Sequence, residues 1–286
     1  MEALLYGVGA AVAFGFGDYA AAMATRRVGV VLTSIGMQSI SLVGYAIVLA
    51  LLGRWPVATP ELIGYGFVLG LIGVTSAAAL YRALAIGPIA VVSPVVASYA
   101  ALTVILIVAF LGERLTVGQG TAIAVVFVGV VVASTDFGEL RKTLGRPTEG
   151  VRYGLVATIG FAVWGWLYAA AVRATDGLGM ILVLRAFSVL ALTIFVVARR
   201  TSLSPLRDRR ALALIVVVGV LDTAANVLLS VGIASGFASF VMTGSGAYPL
   251  IPALLAILVL RERLAPNQYV GVAVLIAGLV ALGLQS

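Results

Sequence analysis

Three ionisable residues lie inside long apolar runs, where a charge is costly unless it finds a partner. Arg185 stands in LVLRAFSVL, Asp222 in VVGVLDTAANVLLS and Asp18 in GFGDYAAA. Asn226 follows Asp222 by one helical turn and therefore shares its helix face. A guanidinium and a carboxylate can bind the two charged ends of a zwitterion, and a carboxylate can carry a coupling proton. The plain alternative is a structural ion pair, with Asp18 reaching the membrane interface.

Other polar and aromatic side chains in the apolar runs could complete a binding site. Gln38 lies in a polar stretch that includes Ser41, and Trp164 stands near the middle of its run, away from the interfacial levels that tryptophan favours. Packing is the alternative role for the aromatic residues. The candidate substrate-binding residues are Gln38, Tyr81, Tyr99, Trp164, Arg185, Asp222, Asn226 and Tyr248, and the candidate proton carriers are Asp18 and Asp222.

The composition excludes an ordinary soluble domain. The chain has 286 residues, of which 62% are hydrophobic and 10% charged, and its mean hydropathy is +1.18. So few charges cannot cover a soluble protein of this length, so the sequence predicts an all-helical integral membrane protein. The net charge of +7 is typical of basic loops beside membrane helices, and no nucleic-acid partner is predicted.

The sequence offers no visible equipment for catalysis. It contains no His and no Cys, which removes the commonest proton carrier and metal ligand together with thiol chemistry. It also lacks a phosphate-binding Walker loop and a Ser, His and Asp set. We therefore predict that the protein is not an enzyme and that it uses no cofactor or metal.

Ten apolar segments are long enough to cross a bilayer, since a spanning helix needs roughly 20 apolar residues. The predicted spans are 4–24, 30–53, 61–82, 88–111, 117–135, 151–172, 178–198, 211–233, 237–260 and 267–285. The fourth and ninth contain prolines, so we expect them to be broken helices that face protein or a water-filled cavity. Pro94 and Pro249 are the candidate hinges.

The chain is a duplication. The segments 81–115 and 230–264 superpose at a shift of 149 positions, which places Tyr99 on Tyr248 and the triplet Glu113-Arg114-Leu115 on a second Glu-Arg-Leu triplet. The sequence therefore predicts a first five-helix repeat over 1–135, a loop over 136–150 and a second repeat over 151–286. Because five is odd, the second repeat enters the membrane from the opposite side, an inverted architecture that many secondary transporters share.

The basic residues of the loops predict the orientation, because Lys and Arg concentrate on the cytoplasmic side. One side carries Arg26, Arg27, Arg82, Arg141, Lys142, Arg146, Arg152, Arg199, Arg200, Arg207, Arg209, Arg210, Arg261 and Arg263. The other carries Arg54, Arg114 and Arg173. The termini are therefore expected outside.

The two broken spans, each followed by a Glu-Arg-Leu turn and a glycine-bearing span, resemble the EamA family of the drug/metabolite transporter superfamily. Within it, the chain is most similar to the YddG-type exporters. This resemblance implies a multi-pass exporter of the bacterial inner membrane, with amino acids, aromatic ones above all, as cargo. It also implies a central cavity lined by the first four spans of each half. The Glu-Arg-Leu turn is expected to cap helix ends, with Glu113 near the start of the following span.

The sequence thus predicts a secondary transporter that works by alternating access, with a small-molecule substrate and membrane lipid as its partners and a monomer as its working form. Two alternatives stay open at this point. One is export of drugs or other metabolites, including sugar-linked nucleotides. The other is a membrane binding or assembly protein that transports nothing, in which Gln38, Tyr99, Arg185 and Asp222 would point away from one another.

Overall fold

The fold is helical throughout the part of the chain that the computed structural model describes, namely residues 1–87, 89–143, 149–248, 251 and 265–285. The helices are α1 Glu2–Val28, α2 Val30–Leu51, α3 Pro60–Ile86, α4 Ile89–Ala97, α5 Tyr99–Leu111, α6 Val117–Ser134, α7 Phe137–Thr143, α8 Glu149–Ala174, α9 Gly177–Ala198, α10 Arg209–Ser235, α11 Ala238–Ser245 and α12 Pro266–Gly283. A short 3₁₀ helix, Ser204–Arg207, precedes α10.

Nine segments within the described residues are long and apolar enough to cross a membrane. They correspond to all the predicted spans except 237–260, of which the structure describes only 237–248 and 251, including α11. The all-helical membrane fold is confirmed. Several helices are longer than the apolar runs that predicted them: α3 ends at Ile86 rather than at 82, because a helix can continue past the point where its side chains stop being apolar.

The predicted break in the fourth span lies at Ser98 rather than at Pro94. Pro94 stands inside α4, and the helix is interrupted between Ala97 and Tyr99. The Ser98 hydroxyl and amide both donate to the Val95 carbonyl, at 2.6 and 3.3 Å. In an ordinary α-helix the Ser98 amide would donate to the carbonyl of Pro94, four residues earlier. The bonds to Val95 replace that bond and make the backbone turn more tightly at Ser98. Pro249 lies outside the described residues.

The helix bounds repeat at the shift of 149 positions that the sequence predicted. Both ends of α10 lie 149 residues after those of α3, and both ends of α12 lie 149 residues after those of α6. The packing repeats too: α1 packs on α10 as α8 packs on α3, and α2 packs on α10 as α9 packs on α3. Each half thus makes equivalent contacts with the other half, which is the pattern expected for two halves related by a pseudo-two-fold axis.

Helices α6 and α12 pack on each other through glycines at equivalent positions. A Cβ on Gly129 would lie 2.6 Å from the Leu275 Cα, and one on Gly278 would lie 2.8 Å from the Val126 amide nitrogen. Leu275 is itself the 149-residue counterpart of Val126. The missing side chains therefore let the two backbones approach closely, as small residues do between membrane helices.

Replacing Gly278 by Ala should lower the free energy of unfolding by about 1–3 kcal/mol, the usual cost of overpacking a close contact. Gly120→Ala on α6 is the matched control, because no atom lies within 4 Å of its added Cβ. Unfolding by sodium dodecyl sulfate in mixed micelles measures both. Equal midpoints for Gly278→Ala and the wild type would mean that the contact between α6 and α12 is looser than the structure places it.

The loop expected over 136–150 contains a helix that hydropathy did not predict. Asp136 accepts hydrogen bonds from the amides of Gly138 and Glu139, at 2.8 and 3.1 Å, and so caps the start of α7. Residues 144–148 lie outside the described part of the chain. The connection between the halves is therefore partly helical.

Candidate functional site

A cavity of about 260 Å³ lies between the two halves of the molecule. Its described lining residues come from α1, α2, α3 and α5 of the first half and from α8 to α11 of the second, and none comes from α6 or α12. This arrangement matches the central cavity that the family resemblance implied. The residues are Phe14, Gln38, Leu69, Gly73, Ala77, Tyr99, Ala100, Thr103, Phe161, Trp164, Gly165, Leu184, Arg185, Ser188, Asp222, Asn226, Leu229, Met242 and Ser245.

An ion pair between helices α9 and α10 lies in the wall of this cavity. The guanidinium of Arg185 donates from Nη2 to Asp222 Oδ2 at 2.6 Å and from Nη1 to Gln38 Oε1 at 2.5 Å. The Arg185 and Asp222 side chains are only 8% and 13% exposed. Three helices, α2, α9 and α10, therefore meet at one buried charge pair.

Further hydrogen bonds hold the carboxylate of Asp222 in place. The Ser41 hydroxyl donates to Oδ2 at 2.8 Å, and the Asn226 amide donates to Oδ1 at 3.3 Å. By contrast, Nε of Arg185 is buried and has no partner among the described residues. A buried donor normally finds an acceptor, so Nε is a polar atom that the described residues leave unsatisfied.

A second layer of hydrogen bonds fixes helix α10 behind the ion pair. The Tyr45 hydroxyl donates to the Thr223 carbonyl at 3.1 Å, and the Tyr168 hydroxyl donates to the Asn226 carbonyl at 3.2 Å. Tyr168 also lies 2.8 Å from the Ser230 hydroxyl. Both tyrosines are fully buried. This layer is the kind of support that keeps functional side chains in a defined geometry.

Tyr45 and Tyr168 were not among the candidate site residues that the sequence predicted. One signal was available for Tyr168, because the tetrapeptide Tyr-Ala-Ala-Ala occurs at residues 19–22 and again at 168–171, 149 positions later. Tyr45 gave no comparable signal. A tyrosine in an apolar helix has the same appearance in the sequence whether it packs against lipid or donates to a neighbouring helix.

Aromatic side chains also line the cavity. Trp164 stacks on Tyr168 with ring centroids 4.9 Å apart and planes at 16°, and Tyr99 lies 5.6 Å from Phe161. The indole N–H of Trp164 and the hydroxyl of Tyr99 form no hydrogen bond within the part of the chain that the structure describes. The cavity lining thus combines a charge pair with aromatic rings, and Tyr99 and Trp164 keep hydrogen-bonding groups that the described residues do not use.

The structure brings six of the eight candidate binding residues to this cavity: Gln38, Tyr99, Trp164, Arg185, Asp222 and Asn226. Tyr248 follows α11 and is not among the lining residues, and the side chain of Tyr81 lies outside the described part. Asp18 lies on α1, is exposed, and does not line the cavity. It has no hydrogen-bond or ion-pair partner among the described residues.

The Glu-Arg-Leu turn caps a different helix from the one expected. Glu113 was predicted to act at the start of the following span, α6. Its carboxylate instead accepts from the amides of Ala238 and Ser239, the first residues of α11, at 2.7 and 3.0 Å. It also forms an ion pair with Arg173 at the end of α8.

There is a local reason why Glu113 does not cap α6. The helix α6 already has its own cap, because Thr116 and Gln119 form a reciprocal capping box there. The carboxylate of Glu113 is therefore free to join the turn between α5 and α6 of one repeat to α8 and α11 of the other. The counterpart turn at 262–264 lies outside the described residues.

Helix α11 connects this junction to the cavity. It begins at the Glu113 carboxylate, and Met242, one turn later, and Ser245, two turns later, line the cavity. All eight of its residues are buried. It packs on α1 through Gly7 and Gly244, where added Cβ atoms would meet backbone of the neighbouring helix at 3.0 Å or closer. Movement of α11 would therefore couple the junction, α1 and the cavity.

Comparison with known proteins identifies the family. The profile of the EamA-like transporter family matches residues 1–135 and 148–284. The chain belongs to the EamA-like transporter family. A comparison with curated proteins found no match, whereas 29 chains of solved structures match.

One of these structures aligns with this EamA-like transporter over 99% of both chains, with a TM-score of 0.81 and 17% sequence identity. It is a crystal structure described only as a protein. At that identity the likeness shows the fold alone. Membership of the family makes the protein a multi-pass membrane transporter, and the cavity between its halves is the candidate path for the solute.

Proposed function

We propose that the protein exports amino acids, aromatic ones above all, and related small metabolites across the bacterial inner membrane by alternating access. The observation that carries this proposal is the cavity itself, whose lining combines one buried cation, one buried anion and several aromatic rings. A zwitterion with a ring carries groups that complement all three. Its carboxylate would bind Arg185, its ammonium would bind Asp222, and its side chain would lie among the rings.

The charge balance of the cavity favours a zwitterion over a solute with one sign of charge. Arg185 and Asp222 are the charged side chains among its described lining residues, so the lining is neutral overall. A purely anionic or cationic solute would leave one of the two buried charges without a partner, which is costly. A nucleotide would need several bases for its phosphates, and this lining supplies one.

The size of the cavity favours a small solute. Pockets for drug-sized ligands usually enclose roughly 300–1,000 Å³, whereas this cavity encloses about 260 Å³. The aromatic rings of Tyr99, Phe161 and Trp164 suit a flat apolar side chain, because offset and edge-to-face contacts between rings are favourable. These features support an aromatic amino acid over a large drug.

The non-transporting alternative required the polar candidates to point away from one another. Gln38, Arg185 and Asp222 are instead hydrogen-bonded together, and Tyr99 lines the same cavity. A shared cavity between two repeats is the arrangement that a carrier needs and that a static assembly protein does not. The geometry therefore favours transport.

In this proposal the two repeats, 1–135 and 151–286, rock about the cavity and are joined by 136–150. The short helices α4 and α11 are the segments best placed to move, with Pro94 and Pro249 as the proposed hinges and the helix interruption at Ser98 four residues after Pro94. The basic loops would face the cytoplasm and the termini the outside. The solute would then enter from the cytoplasm and leave when the outer end opens.

Purified protein in proteoliposomes tests the cargo. We expect saturable flux of phenylalanine and tryptophan, with competition between them and none from phenylpropionate or phenethylamine, which each carry a single charge. The absence of flux for every amino acid would contradict the proposal. Repeating the assay with an imposed pH gradient tests Asp18 and Asp222 as proton carriers: a rate that does not change with the gradient would remove both from that role.

A further inference from the structure

The duplication makes helices α3 and α10 equivalent, but the two helices line the cavity with chemically different residues. Residues of α3 and α10 correspond at the shift of 149 positions, which places Gly73 on Asp222 and Ala77 on Asn226. All four residues line the cavity. The second half thus supplies a carboxylate and an amide, while at the same places the first half supplies a bare backbone and a methyl group.

Gly73 lies beside one of the aromatic residues that line the cavity. A Cβ on Gly73 would lie 3.4 Å from Nε1 and 3.6 Å from Cδ1 of Trp164. The Trp164 ring is backed on one face by Tyr168, at 4.9 Å between centroids. Tyr168 in turn is bonded to Ser230 and to the Asn226 carbonyl of α10. The indole therefore has a fixed support on one face, and a side chain at position 73 would touch its edge within the cavity that both residues line.

We propose that Gly73 determines the largest solute side chain that the cavity accepts. The inference rests on the proposed function, because it assigns the charged ends of an amino acid to Arg185 and Asp222 and its side chain to the part of the cavity that Gly73 and Trp164 line. A branched side chain at position 73 would extend into that part of the cavity and press on the indole edge. Small amino acids would still bind at the ion pair, whereas large ones would lose their place.

The test is a comparison of Gly73→Val with Gly64→Val in proteoliposomes. Both substitutions put the same β-branched residue into α3, but position 64 is exposed and no atom lies within 4 Å of its added Cβ. We expect Gly73→Val to lower the ratio of tryptophan to alanine flux by about tenfold or more, in the range that one extra methylene changes selectivity. Gly64→Val should keep the wild-type ratio. An unchanged ratio in Gly73→Val, or an equal loss of both fluxes, would overturn the inference.

A second measurement separates this inference from the proposed cargo. In a chain with Trp55→Phe and Trp166→Phe, Trp164 is the sole tryptophan, since the sequence contains three. Acrylamide should quench its fluorescence, and Gly73→Val should lower the quenching constant severalfold while Gly64→Val leaves it unchanged. If the wild type carries no amino acid, the cargo is wrong, and quenching alone decides whether Gly73 keeps the space open. Equal quenching in Gly73→Val and the wild type would overturn the role of Gly73.

Discussion

Replacing Arg185 by Met should lower the flux of phenylalanine by about two orders of magnitude. Removing one member of a buried, hydrogen-bonded charge pair costs about 2–5 kcal/mol, and 2.7 kcal/mol corresponds to roughly a hundredfold in binding. The variant removes the proposed partner of the substrate carboxylate. It also leaves the carboxylate of Asp222 without its 2.6 Å partner. Initial rates in proteoliposomes, with equal amounts of inserted protein, measure the change.

Two controls separate a loss of binding from a loss of folding. Arg199→Met removes an arginine of the same sequence region that is exposed and stands over the Phe195 ring, so it should transport normally. The double variant Arg185→Met with Asp222→Asn removes both charges, so it should recover any lost stability but not the flux. Wild-type flux in Arg185→Met would contradict the role given to the ion pair.

Replacing Glu113 by Ala should lower the free energy of unfolding by about 3 kcal/mol. Breaking a buried ion pair by removing one partner costs about 3–5 kcal/mol. The lower end applies here, because the side chain of Arg173 is 31% exposed and can be hydrated after the change, whereas that of Glu113 is 4% exposed. The variant also removes the carboxylate that accepts hydrogen bonds from the amides of Ala238 and Ser239 at the start of α11. Unfolding in mixed micelles measures the loss.

Glu61→Ala is the control for the removal of a carboxylate near a helix start. Glu61 is exposed in the first turn of α3, and its removal should cost no more than a few tenths of a kcal/mol, as for an exposed charge near a helix end. Glu113→Gln should fall between the two, since its amide keeps one acceptor oxygen but replaces the other with a donor. Equal stability of Glu113→Ala and the wild type would show that the junction does not hold α11.

Much of the fold could be predicted because the bilayer dictates it. A run such as 117–135 has to be a spanning helix, and the shift of 149 positions that aligns Tyr99 with Tyr248 recurs in the bounds of α3 and α10. The break at Ser98 could not be placed, since it depends on which carbonyl one serine bonds rather than on hydropathy. The partner of Glu113 could not be predicted either, because it lies 125 positions away in the other repeat.

Some contacts of the candidate site could likewise be predicted from the sequence, and others could not. The pairing of Arg185 with Asp222 was predictable, because an unpaired charge within the membrane is costly and two opposite charges in adjacent antiparallel helices have few other partners. The contact of Gln38 with Arg185 and the support from Tyr45 were not, because neutral polar residues are tolerated in many places. The repeat alone was not enough to predict a lining residue. Tyr248 occupies the position equivalent to Tyr99 and yet does not line the cavity.

The central claim is that the cavity beside the ion pair is the path of the solute, and thiol labelling of a single cysteine tests it most directly. The natural chain has no cysteine, so Ser188→Cys, one turn from Arg185 and on the cavity wall, places a lone thiol there. The account predicts that a membrane-impermeant maleimide labels this thiol and that phenylalanine slows the labelling in proportion to its occupancy. A thiol that reacts at the same rate with and without every transported amino acid, or that no reagent reaches from either side, would contradict it.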